Sequence, residues 1–203
     1  MNFFLSIVGV ITVALGSGFA SIKIINEGNE ALVERLGQYQ KKLRPGLNFI
    51  IPLLDTIVIE ESTREKVLNI EPQNAITQDN VSLKVDAVVY WRVMELEKTF
   101  YEVEDIEDAI KNLVLTNVRS QMGEFELEET YSSRKPINEK LLKELDEATG
   151  NWGVKITRVE VKNIEPVPAV MEALEQERAA ESKKRAVLSE AQGTVESIRI
   201  WKR

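Results

Sequence analysis

The chain has 203 residues, 43% hydrophobic and 29% charged, with a formal net charge of -7 and neither cysteine nor histidine. Those two zeros exclude imidazole general bases, Ser-His-Asp and Cys-His nucleophiles, zinc fingers, thiol redox centres and disulfide frameworks. The acidic balance argues against a general nucleic-acid binder, and the length allows one ordinary domain or two small ones.

Residues 2–22 (NFFLSIVGVITVALGSGFASI) run for 21 positions without a charge. A helix of that length reaches roughly 31 Å, close to the hydrocarbon thickness of a bilayer, so one crossing is predicted. A cleaved secretory signal with Gly18 and Ala20 at the cleavage positions is the alternative, but no basic residue precedes the run. Lys23, Arg35, Lys41, Lys42 and Arg44 all follow it. The positive-inside rule then predicts a single-pass membrane protein, N-terminus outside and body cytoplasmic. Residues 1–25 are read as the anchor.

Beyond residue 25 the pattern turns to alternation. ALVERL (31–36) predicts a strand ending at Gly37, and the polar stretch 38–44 leads to a turn at Pro45-Gly46. LNFIIPLLD (47–55) contains Pro52, which cannot donate to a ladder, so an edge strand followed by a loop is expected. Over 81–93 the odd positions Val81, Leu83, Val85, Ala87, Val89, Trp91 and Val93 are apolar, the period of a long half-buried strand.

The period then becomes helical. Asp105 is a good N-cap for a helix carrying Ile106, Ala109, Ile110, Leu113, Val114 and Asn117 to about Ser120. A turn is expected at 126–130, then a helix with Pro136 in its first position, capped by Ser132 or Ser133, and with Ile137, Leu141, Leu145 and Ala148 on one face. VKITRVEVKNI (154–164) alternates again, with a slip near Thr157 and Arg158 that predicts a bulge. Residues 26–166 thus form an α+β body, strand-rich over 26–94, with helices and a returning strand over 95–166.

Residues 169–203 hold no proline and one glycine and are rich in Ala, Glu, Lys and Arg. One long helix is expected from about 167, and the uncapped end at Trp201-Lys202-Arg203 predicts that it continues. Seven-residue spacing aligns Ala173, Ala180, Val187 and Thr194, a seam too weakly apolar for a leucine zipper but suited to lateral packing against identical neighbours. The acidic excess lies in residues 95–147, with 15 acidic against 7 basic side chains. Such an excess is either a solvated face or a docking surface for a basic partner.

Four separated blocks in this order resemble the SPFH, or Band 7, family and within it the stomatin-like slipins. They are Arg35-Leu36-Gly37, RPGLNFIIPLLD (44–55), ITQDNVSLKVDAVVYWRV (76–93) and LDEATGNWGVKITRVEVKNIEPVP (145–168), followed by the Ala/Glu/Lys/Arg-rich helix. The resemblance implies an SPFH domain with an N-terminal transmembrane helix and a long C-terminal helix. It also implies a non-enzymatic, membrane-anchored scaffold that assembles into a homo-oligomeric ring or cage and organises a lipid and protein microdomain. An adaptor that restrains or recruits a membrane protease or channel is the alternative. A third reading is a hydrolase using paired carboxylates, Glu60 with Glu61 or Asp105 with Asp108, but no phosphate loop or metal-ligand cluster lies near them in sequence. No catalytic, cofactor-binding or metal-binding residue is assigned, and the expected partners are membrane lipid and further copies of the chain. The span lacks the mid-segment proline of an intramembrane hairpin, so a straight crossing is expected. The resemblance singles out Leu47, Phe49, Ile50, Ile51, Leu53 and Leu54 as a loop that either dips into the membrane interface or is buried in the core.

Overall fold

A computed structural model describes residues 22–132 and 134–201. The predicted span lies outside them except for Ile22, and among the described residues no helix is long and apolar enough to cross a membrane. Eight strands come first to last as β1 (Ile22–Ile25), β2 (Asn29–Arg35), β3 (Gln38–Leu43), β4 (Gly46–Phe49), β5 (Asp55–Ser62), β6 (Lys66–Ile76), β7 (Ser82–Val93) and β8 (Val154–Pro166). Helices α1 (Leu96–Tyr101), α2 (Ile106–Met122), α3 (Leu127–Ser132) and α4 (Arg134–Thr149) lie between β7 and β8, and α5 (Pro168–Trp201) follows.

The strands make three antiparallel sheets, ordered β1-β4, β3-β2-β5 and β6-β7-β8. In the third sheet Leu83, Val85, Ala87, Val89, Trp91 and Val93 of β7 are all buried, as their period predicts. They pack with Ile110, Val114 and Val118 of α2 and Ile137, Leu141 and Leu145 of α4, so both helices cover the same face. The Asp105 carboxylate accepts from the Asp108 amide at 3.0 Å, and α2 runs two residues beyond the expected end. The slip in β8 is real: Arg158 pairs with Tyr90 and Ile156 with Trp91, leaving Thr157 as the extra residue. The outer edge of β8 is closed by α4, whose Asn138 and Asp146 accept from the Val161 and Ile156 amides at 3.1 and 3.3 Å.

The β3-β2-β5 sheet is sandwiched. Leu32 and Ile59 face the main core, whereas Ala31, Val33 and Ile57 face a second, smaller core with Leu43, Ile25 and Ile50. A polar junction fastens this sheet to α1: the Tyr101 hydroxyl donates to Glu34 at 3.0 Å and the Tyr39 hydroxyl to Glu97 at 3.2 Å. The two rings meet edge to face, and Lys42 bridges Glu30 and Glu97 at 3.3 Å each. Burial, and then donation to Glu34, push the Tyr101 hydroxyl up to about 12. A raised folded value means the junction contributes fully below about pH 10 and is lost as the pH rises toward the folded value. Tyr39 and Tyr131 are raised as well, and Tyr101 furthest, so absorbance titration should show late tyrosine ionisation, with near-ultraviolet circular dichroism of the body changing in step at its last stage. A Tyr101→Phe variant should lose that last stage.

Four expectations change. Residues 22–25, read as the end of the anchor, are a strand paired with β4. The polar stretch 38–44 contains β3, a strand in which Gln38, Tyr39 and Gln40 are exposed, Lys41 and Lys42 half-buried and Leu43 buried. The turn expected at 126–130 lies within or beside α3, where the Thr130 hydroxyl donates to the Leu127 carbonyl. Pro136 is the third residue of α4 rather than the first; Ser132 closes α3, and Ser133 lies outside the described residues.

Candidate membrane-contact surface

The β1-β4 ribbon pairs Ile22 with Phe49 and Ile24 with Leu47. Directly opposed residues of an antiparallel pair share a face. The inward face places Ile25 in the second core and Lys23 3.5 Å from Glu60. The outward face is Ile22, Ile24, Leu47 and Phe49, all apolar and all exposed, Phe49 at 65%. A two-stranded ribbon can bury only one of its faces against the sheet, so this face is left open.

The loop after β4 continues the apolar surface. Ile51, Leu53 and Leu54 are exposed, Leu53 completely, at a left-handed φ of 71°. Ile50 differs: it turns inward against the second core, so of the six loop candidates five are exposed and one is packed. Asp55 holds the loop in shape. Its carboxylate accepts from Arg35 Nε and from the Ile51 amide, both at 2.8 Å, and the Asp55 amide donates to the Ile51 carbonyl at 2.9 Å. The Arg35 guanidinium, and next the Ile51 amide, hold the Asp55 carboxyl below the usual carboxylate range. A depressed folded value means this clasp is complete above about pH 4 and is lost as the pH falls through the folded value. Asp55→Asn should accelerate hydrogen exchange at the Ile51 amide at neutral pH, leaving β7 amides protected; unchanged exchange at Ile51 would deny the clasp its role.

Two residues of this surface, Ile22 and Ile24, were not singled out by sequence reasoning because both fall within residues 1–25, read as the anchor. Their alternation with Lys23 and Ile25 is the signal that separates them from it.

Along α5, Leu174 packs against the main core, but every described side chain from 175 to 191 is exposed. Ala173, Ala180 and Val187 are all solvated, and Thr194 lies outside the described side chains. The carboxylate pairs have structural tasks. Glu60 meets Lys23 and accepts from the Asn29 side-chain Nδ2, Glu61 meets Lys66 at 3.0 Å, and Asp105 caps α2. Among the described residues no cluster suited to a metal ion is present.

Comparison with known proteins bears on this arrangement. The profile of the SPFH domain / Band 7 family matches residues 23–195, from the second residue of β1 well into α5. An uncharacterized protein of Methanocaldococcus jannaschii is 46% identical over 193 residues, covering 95% of this chain and 96% of the relative. An uncharacterized protein of Methanothermobacter thermautotrophicus is 39% identical over 188 residues, 93% of this chain and 59% of the relative. Human mitochondrial stomatin-like protein 2 is 39% identical over 166 residues, 82% of this chain but 47% of its own length, so the chain spans about half of that relative. With a family profile over most of its length and relatives this similar, the chain belongs to the SPFH domain / Band 7 family.

Proposed function

We propose that the protein is a membrane-anchored scaffold that assembles through α5 into a closed homo-oligomer and organises a patch of bilayer with its resident proteins. The observation that carries this reading is the pairing of two unsatisfied surfaces at opposite parts of one chain. One is the apolar face of β1 and β4, directly continuous with the uncharged run 2–22. The other is a 34-residue helix that packs on the body at Leu174 and, among the described residues, is solvated on every side from 175 to 191. A helix exposed all round gains stability from lateral neighbours, and ring closure multiplies many weak contacts into high avidity. In this reading the span crosses once with the body on the cytoplasmic side, and Leu47, Phe49, Ile51, Leu53 and Leu54 rest in the lipid interface.

Family membership and the stomatin-like relatives support a membrane-associated scaffold rather than a catalyst. The acidic residues of α1 to α4 favour a compatible second reading, an adaptor that holds a basic segment of a membrane protease or channel. Sizing the detergent-extracted protein tests the first reading. Particles many times the mass of the 23.0 kDa chain are expected; monomers and dimers alone would contradict it.

A further inference from the structure

Two leucines of the described residues stand in the left-handed region, Leu36 at φ 52° and Leu53 at φ 71°. That conformation costs an L-residue other than glycine or asparagine roughly 1–2 kcal/mol. Leu36 and Gly37 form the two-residue turn between β2 and β3, both at positive φ, where Asn-Gly is the favoured pair. Leucine relieves none of the strain there, and it is 80% exposed, so the fold gains nothing from its side chain.

The position of the turn supplies a reason. Arg35 pairs with Asp55, and the Leu36 amide donates to the Leu54 carbonyl at 3.4 Å, so the turn lies beside the loop 51–54. That loop follows Phe49, and Phe49 pairs with Ile22, the residue at which the uncharged run enters the fold. The entry of the chain, the apolar loop and the strained turn therefore converge on one end of the molecule. The charges between them, Arg35 and Asp55, neutralise each other at 2.8 Å.

We propose that Leu36 is a second apolar prong that enters the lipid interface beside Leu53. Its partner is the bilayer rather than another protein, because the surface it extends is continuous with the segment sized to cross that bilayer. One prong leaves the body free to rock; two on separate loops fix its tilt. The proposal rests on the lipid-contact reading of residues 47–54 and can fail separately from it.

The chain has no cysteine, so single labels are clean. Leu36→Cys, Leu53→Cys and, as a solvated control on α4, Glu139→Cys are introduced one at a time into the full chain and labelled with an environment-sensitive fluorophore. Each is reconstituted into phosphatidylcholine/phosphatidylglycerol vesicles carrying shallow spin-labelled lipid. The labels at positions 36 and 53 should both lose fluorescence to the quencher, and that at 139 should not. Quenching at 53 without quenching at 36 would overturn the second prong and leave the lipid-contact reading standing. Quenching at neither would overturn both. A blue shift at 36 that lipid quencher does not touch would assign the turn to a contact between copies and overturn the proposal. Leu36→Asn, which suits the left-handed turn, should leave the unfolding midpoint unchanged or raised; a fall would give Leu36 a structural role instead.

Discussion

Gly153→Ala is expected to destabilise the body by about 3–5 kcal/mol, a large part of the ~5–15 kcal/mol available to a domain. Gly153 sits at φ 71° between a short 3₁₀ turn, Gly150–Trp152, and β8. A methyl group there would stand 2.4 Å from the Glu95 carbonyl oxygen and 2.9 Å from the Lys98 Cβ. Neither neighbour can yield cheaply, since Glu95 and Met94 both donate their amides to the Gly153 carbonyl at 2.9 Å. The Thr99 hydroxyl also donates to the Trp152 carbonyl at 2.9 Å. The left-handed conformation costs roughly 1–2 kcal/mol, and disturbing two or three hydrogen bonds of about 1 kcal/mol each supplies the rest. Gly150 is the control, because a methyl group there meets nothing within 4 Å. Urea unfolding followed by tryptophan fluorescence compares the two variants. An equal effect at both positions would show that the packing of α1 against this turn is not what holds it.

The second large effect concerns the surface rather than the core. Phe49→Ser together with Leu53→Ser should leave the body folded, since both side chains are exposed, Phe49 at 65% and Leu53 completely. In a chain of residues 22–203, without the uncharged residues 2–21, flotation with anionic vesicles should fall about 30- to 150-fold, the equivalent of ~2–3 kcal/mol for two partly inserted side chains. Ile50 is left alone because it packs into the second core, and its replacement would confuse lost contact with lost folding. Undiminished flotation would remove this surface from the membrane. Loss of circular dichroism would mean that the residues serve the fold.

The contrast between Phe49 and Ile50 shows where sequence reasoning stops. Strand β7 was legible because one face meets a core along its whole length, which imposes a period of 2 on its residues. The cap at Asp105 and the bulge at Thr157 were legible because they are local events, each written in a few adjacent residues. Strand β3 was not: QYQKKL is polar on both faces because it is an edge strand, with only Leu43 fully buried. Strand β1 was masked by the apolar run before it, and its assignment depends on a partner, β4, more than twenty residues away. The choice between burial and exposure for 47–54 depended on the same long-range pairing, which leaves room for only one inward face. Leu36 carried a signal that went unused, a leucine where a two-residue turn favours asparagine. The helix α5 was legible from composition, but a seam of Ala173, Ala180 and Val187 does not reveal its neighbours while all three are solvated.

Electron cryo-microscopy of the full protein reconstituted in vesicles tests the scaffold most directly. Closed rings are expected, with α5 helices packed side by side into a wall and each body touching the bilayer through the end that carries Leu47, Phe49, Ile51, Leu53 and Leu54. Isolated monomers or dimers, or bodies held away from the bilayer with that end facing solvent, would contradict it.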